Sequence, residues 1–142
     1  MPESNKVSFA TDVENICIDT GASACISTRK ENFDNLQMIR NLKINGIGTG
    51  LPVKGTGRLK WPFRDDNGNE FDLYVHNALC VPKIPMGLLC PQQIAMQTGK
   101  AGDGFNVLGH AGILTVDGYK RTIPYDSRTR HPIFQTIESI TC

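Results

Sequence analysis

Apolar and polar residues alternate in short runs along most of this chain, and turn-forming residues interrupt them every few positions. A period of two is the signature of a strand with one face buried and the other in water. Residues 58–63 and 71–75 show it most clearly, with Leu59, Trp61 and Phe63 on one face of the first and Phe71, Leu73 and Val75 on one face of the second. Between them runs Arg64-Asp65-Asp66-Asn67-Gly68-Asn69-Glu70, whose Asn67-Gly68 predicts a tight hairpin because both residues tolerate positive φ. Further strands are expected at 7–9, 15–18, 42–44, 52–54, 79–81, 105–108, 113–116, 119–123 and 133–137, with Asp117-Gly118 as a second hairpin turn. Residues 1–6 read as a loose lead-in.

One segment departs from this pattern. Pro91-Gln92-Gln93-Ile94-Ala95-Met96-Gln97-Thr98-Gly99 places proline at the first helical position, good helix formers inside and glycine just past the end. It predicts a helix of about two turns. The expectation is a mostly β fold with one short helix near the C-terminal half. No repeat, low-complexity tract or change of composition divides the chain, so residues 1–142 read as a single domain.

Composition narrows the function classes. At 39% hydrophobic and 20% charged residues the chain can bury a core and does not read as disordered. Fifteen Lys+Arg against 14 Asp+Glu leave a net charge of +1, so neither sign dominates as a nucleic-acid arm or membrane-surface patch requires. Apolar runs such as Ala78-Leu79-Cys80-Val81 are too short to span a bilayer, and the first six residues lack the apolar region of a secretory signal. The expectation is a soluble, cytoplasmic chain that binds neither nucleic acid nor membrane. Five cysteines, Cys17, Cys25, Cys80, Cys90 and Cys142, are odd in number and contain no C-x-x-C, and His76, His110 and His131 lack metal-ligand spacing to them. They read as reduced, mostly buried thiols, with no metal site; a cysteine nucleophile would need a His–Cys pair brought together by the fold.

The segment richest in chemistry is Ile16-Cys17-Ile18-Asp19-Thr20-Gly21-Ala22-Ser23, which sets a carboxylate after three apolar residues on a Thr-Gly turn. Taken alone, Asp19 reads as a residue capping its own turn. A second feature is Gly46-Ile47-Gly48-Thr49-Gly50 between two strand candidates, where glycine lets a hairpin bend over a ligand and offer backbone amides. It has no Gly-Lys-Ser/Thr ending and no helix start behind it, which excludes a phosphate loop. A third is Met86-Gly87-Leu88-Leu89-Cys90, an apolar run leading directly into the predicted helix.

In this order, the three pieces resemble the retropepsin family of aspartic proteases, and more closely the protease segment of copia-type LTR retrotransposon polyproteins. The likeness covers roughly residues 14–125. It rests on Asp19-Thr20-Gly21-Ala22, on a flap-like stretch at 43–57 with its tip at Gly46, Gly48 and Gly50, on the strand end Cys80-Val81-Pro82, and on Leu88-Leu89 before the helix. The resemblance implies a closed or partly open β-barrel and no metal or cofactor. It also implies an endopeptidase acting on its own Gag-Pol polyprotein inside cytoplasmic virus-like particles. Asp19 would be the acid/base, Thr20 would brace the two loops of a dimer, and Gly21 would let the turn close and offer its carbonyl to substrate. Ala22, Ser23, Ile44, Gly46, Ile47, Gly48, Thr49, Gly50 and Leu88 would contact the peptide. Apolar pocket walls would come from Ile26, Ile47, Leu51, Pro85 and Leu88.

The chain has one Asp-Thr-Gly, and in Asp126-Ser127-Arg128 the arginine cannot make the turn that glycine makes. A homodimer follows, with one Asp19 from each copy sharing a proton across a twofold axis. In retropepsins the chain ends knit that interface as strands; the candidates here are 7–9 and, in a C-terminal extension at 126–142, 133–137. There are departures from the family pattern. Cys90 stands at a usual glycine, Ser23 stands where retroviral enzymes carry an aspartate that binds substrate backbone, and residues 105–142 exceed a minimal retropepsin. The alternatives are a catalytically inactive or domesticated retropepsin-like domain that binds peptide or only dimerises, and a plain β interaction module.

Overall fold

The computed structural model describes residues 13–40, 42–44 and 50–137. In chain order the strands are β1 (Asn15–Ile18), β2 (Ile26–Ser27), β3 (Phe33–Met38), β4 (Lys43–Ile44), β5 (Leu51–Pro52), β6 (Gly55–Arg64), β7 (Glu70–Cys80) and β8 (Gly87–Leu89). After helix α1 (Pro91–Thr98) come β9 (Gly104–Val107), β10 (Ala111–Val116), β11 (Tyr119–Pro124) and β12 (Ile133–Gln135). A 3-10 turn, Lys30–Asn32, leads into β3. The fold is mostly β with one short helix, as the alternation predicts. Among the described residues no helix is long and apolar enough to cross a membrane.

Seven strands form one sheet in the order β12-β1-β8-β2-β7-β6-β3, while β9, β10 and β11 make a separate three-stranded sheet and β4 pairs only with β5. Of the expected closed or partly open barrel, no closed form is found among the described residues. Closure needs the two edge strands of a sheet to pair with each other. Here β12 and β3 lie at opposite edges, and the chain after α1 builds its own sheet instead.

The long hairpin of β6 and β7 carries the core. Leu59, Trp61, Phe63, Leu73 and Val75 are buried on one face and join Ile16, Ile18, Leu89 and Ile94 in a single apolar cluster. Leu114, Val116, Ile123 and Phe134 belong to the same cluster, so the three-stranded sheet and the helix pack on one face of the large sheet. Cys17, Ile26, Val53, Val81, Ile84 and Leu88 form a second, smaller cluster.

Two local expectations need correction, and one strand was not expected. Residues 79–81 do not make a strand of their own, because β7 runs unbroken to Cys80. Asn77 takes positive φ (58°) opposite a register shift between Gly57 and Leu59, and this bulge interrupts the alternation at His76-Asn77. The turn at Asn67-Gly68 is wider than a two-residue hairpin, since the last pair is Arg64 with Glu70. The cause is Asp65, only 8% exposed, whose carboxylate accepts the Asn67 and Asn69 N–H groups at 3.0 and 2.7 Å. Strand β3 was not legible, because Asn35 at positive φ and a bulge between Asp34 and Gln37 break its period.

Other expectations match. Asp117 and Gly118 (φ 52° and 86°) close a two-residue hairpin between paired Val116 and Tyr119. Helix α1 starts at Pro91 and stops at Gly99, whose left-handed backbone (φ 68°) returns its N–H to the Ala95 carbonyl. The strand expected at 133–137 forms over three residues as β12 and pairs with β1 of the same chain. The stretch at 7–9 lies outside the described residues. Four cysteines, Cys17, Cys25, Cys80 and Cys90, are free and buried. Burial pushes the Cys25 thiol up to about 12, so it stays protonated and unreactive near neutrality.

One buried carboxylate ties these parts together. Glu14 is 3% exposed and accepts hydrogen bonds from Ser27 Oγ (2.8 Å), the Thr28 N–H (2.9 Å), Asn32 Nδ2 (2.9 Å) and Trp61 Nε1 (3.0 Å). A Cβ on Gly87 would come within 2.8 Å of Glu14 Oε2, so β8 needs glycine beside this carboxylate. Glu14→Ala leaves several buried donors without an acceptor. A loss of about 3 kcal/mol in urea unfolding, at unchanged m value, is the expected result. A loss below about 1 kcal/mol would mean that water replaces the carboxylate.

Candidate active site

Strands β1 and β2 are joined by the short loop 19–25, yet they are not neighbours in the sheet. Strand β8 runs between them, parallel to β1 (Cys17 opposite Leu88, Ile18 opposite Leu89) and antiparallel to β2 (Ile26 opposite Leu88). The loop therefore arches over the end of β8, where the chain turns directly into α1. That crossing sets Asp19 at the rim of the sheet, above the first turn of the helix.

The turn itself is tightly made. The Asp19 N–H donates to the Leu89 carbonyl at 3.0 Å, and the Ile18 N–H donates to the Pro132 carbonyl at 3.0 Å, so the end of β1 is gripped from both sides. Asp19 Oδ1 accepts the Gly21 N–H at 2.8 Å, and the Asp19 carbonyl accepts the Ala22 N–H at 3.1 Å. A Cβ at position 21 would lie 3.2 Å from Asp19 Oδ1, a crowding that glycine avoids. Asp19 is half-buried; Thr20 and Gly21 are exposed.

Three residues not singled out as positioning groups hold this loop from below. Gln92 Nε2 donates to the Thr20 carbonyl (2.7 Å), and Gln93 Oε1 accepts the Cys25 N–H (2.7 Å). The Cys90 thiol donates to the Ala22 carbonyl at 3.1 Å. Cys90 thus bonds the loop from the position where the family pattern has glycine. The signal for the two glutamines was present as polar residues in the first turn of a helix beside the Asp-Thr-Gly, but sequence spacing does not show which way they point.

Asp19 opens into a cavity of about 550 Å³ whose other walls come from residues after the helix: Phe105, Val107 and Leu108 from β9 and the turn behind it, and Tyr125, Arg130 and His131 before β12. Among the described residues Asp19 is the only carboxylate lining it. Its charge is felt below, where burial first and Asp19 second raise the Cys17 thiol above its ordinary value. Asp126, the one internal candidate for a second acid, accepts the Arg128 and Thr129 N–H groups of its own turn, both at 2.9 Å, which hold its carboxyl below the usual range.

The remaining expected site residues are dispersed. Ala22 and Ser23 line a second cavity, of about 500 Å³, on the side of the loop facing His76 and Met96. Leu88 and Ile26 are buried in the smaller apolar cluster, with Leu51 packed against it, and Pro85 is exposed. None of these four lines the Asp19 cavity. In the flap-like stretch Lys43 pairs with Pro52 and Ile44 with Leu51, and Gly50 takes positive φ (84°). Gly46, Ile47, Gly48 and Thr49 lie outside the described residues. The described residues contain no cluster of His, Cys, Asp and Glu able to hold a metal ion. Comparison with protein-family models, curated proteins and solved structures finds no match.

Proposed function

We propose that this chain is an aspartic endopeptidase of the retropepsin type, active as a homodimer and cutting peptide bonds in the polyprotein of a copia-type retrotransposon. The observation that carries this reading is the single carboxylate, Asp19, on a tight Thr-Gly turn at the mouth of a cavity that holds no other acid among its described walls. A lone carboxylate gives half of an acid–base pair. A second copy supplies the other half through the exposed Thr20-Gly21 face.

With two Asp19 side chains about 3 Å apart, both cannot ionise cheaply, and the pair holds one shared proton. The ionised member takes a proton from a water bound between them as the water oxygen attacks the scissile carbonyl carbon. The protonated member gives its proton to the carbonyl oxygen. As the tetrahedral intermediate collapses and the C–N bond breaks, the newly protonated carboxyl gives its proton to the leaving amine while an intermediate hydroxyl returns a proton to the other carboxylate, so the pair again holds one proton. Hydrogen bonds from Gln92, Gln93 and Cys90 support this work by fixing the loop before substrate arrives. Processing of its own polyprotein within a cytoplasmic virus-like particle follows from the same reading.

A statine-containing peptide tests it, because the statine hydroxyl mimics the tetrahedral intermediate and meets its partners only at a formed pair. Such a peptide should bind at least about a hundredfold more tightly than its ordinary-amide parent. Equal binding of the two would favour an inactive peptide-binding domain and overturn the enzyme.

A further inference from the structure

The cavity that Asp19 lines is also lined by a residue of opposite charge, Arg130. Residues 125–132 form a turn closed by the Tyr125–Pro132 bridge, by the Asp126 N–H on the His131 carbonyl (2.8 Å) and by the Arg130 N–H on the Asp126 carbonyl (2.7 Å). The Asp126 carboxylate caps it from within, and the Ile18–Pro132 hydrogen bond fastens it to β1 one residue before Asp19. Within this rigid turn Arg130 has φ +63°, a left-handed backbone that glycine or asparagine adopts with less strain. Arg29, Arg58, Arg64 and Arg121 each bond a carbonyl or carboxylate, whereas the exposed side chains of Arg128 and Arg130 have no ion pair or hydrogen bond among the described residues, and of these two only Arg130 lines the cavity. This unpartnered arginine, on a strained backbone, lines the cavity that holds Asp19.

Resting on the peptide-cleaving reading above, we propose that Arg130 is a specificity-determining residue that binds an acidic side chain of the substrate. Phe105, Val107 and Leu108 line the same cavity as the two charged residues and give it apolar surface, the last two being 69% and 44% exposed. It suits a large apolar side chain. In an extended peptide, residues two apart face the same wall. The preferred substrate then has Glu or Asp two positions from an apolar residue, with the carboxylate paired to the guanidinium fork.

The test uses the full chain and peptides whose scissile amide is reduced to a non-cleavable amine, with leucine fixed beside it and Glu or Gln placed in turn at each flanking position. Dissociation constants come from fluorescence anisotropy at low and high salt. At one position Glu should bind about tenfold more tightly than Gln, and salt should narrow the gap. Arg130→Met should bring the ratio to about one, and Arg130→Glu should reverse it in favour of Gln. Arg128→Met, two residues away on the same turn, should leave the ratio intact. Equal binding of the Glu and Gln peptides at every position would overturn the assignment, as would no binding at all or a preference that survives Arg130→Met. Loss of the ratio in Arg128→Met would also overturn it, by pointing to a diffuse positive field. Ordinary-amide peptides assayed in parallel separate the two claims. Selective binding without cleavage would sink the protease and leave the Arg130 site standing.

Discussion

Asp19→Asn should lower peptide cleavage to less than about a hundredth of the wild-type rate while the fold survives. The amide is nearly isosteric, and its oxygen can still accept the Gly21 N–H that the carboxylate accepts at 2.8 Å. The loop also keeps its other anchors, the Gln92, Gln93 and Cys90 hydrogen bonds and the Asp19 N–H on the Leu89 carbonyl. What is lost is the ability to take a proton from water. If two copies pair as proposed, the substitution also relieves the cost of crowding two acidic groups together, so stability should be equal or higher. kcat/KM on a cleavable peptide, beside urea unfolding of the same protein, checks both halves. Activity above a hundredth of wild type would remove Asp19 from the role of base.

The second large effect is one of concentration. If each copy carries half of the catalytic pair, specific activity must follow the dimer fraction, and well below the dissociation constant it should fall about tenfold for each tenfold dilution. The monomer gives no partial rate, because no other described carboxylate lines the Asp19 cavity. Activity and sedimentation velocity measured across one dilution series make the comparison direct. Full activity in a sample sedimenting as a monomer would place the second acid within the chain. Trimming β12 is not a clean way to probe the dimer, since that strand pairs with β1 and its Phe134 lies in the main core.

The fold was readable where local chemistry acts alone and unreadable where distant contacts decide. Proline and glycine marked both ends of α1, and Asp117-Gly118 marked its hairpin, because proline locks its own φ and glycine and aspartate tolerate the positive φ these turns need. Asn67-Gly68 misled, since the buried Asp65 carboxylate reorganised the loop around itself. The Asp19-Thr20-Gly21 turn was legible as a motif. Its supports were not, because Gln92 and Gln93 reach it across a gap in sequence that only the crossing of β8 closes. The same holds for the cavity wall. Nothing in the order of residues 105–142 shows that Phe105, Leu108 and Arg130 return to the carboxylate at position 19. Leu88 was misread for the reverse reason, as its apolar character fits a substrate pocket and a core equally well, and the register with Cys17 puts it in the core.

The insertion of β8 between β1 and β2 also bears on when the site can exist. Loop 19–25 has no fixed path until residues 87–89 have come between its two flanking strands and Pro132 has closed on Ile18. Contacts of such long sequence separation are costly to close and tend to form late. On a ribosome the strands and hairpins up to Cys80 can emerge and begin to pair while Asp19 still lacks its supports. The loop that carries Asp19 is therefore among the last parts to become ordered during synthesis, and under the proposed reading a nascent chain cannot cut before nearly all of this domain has been made.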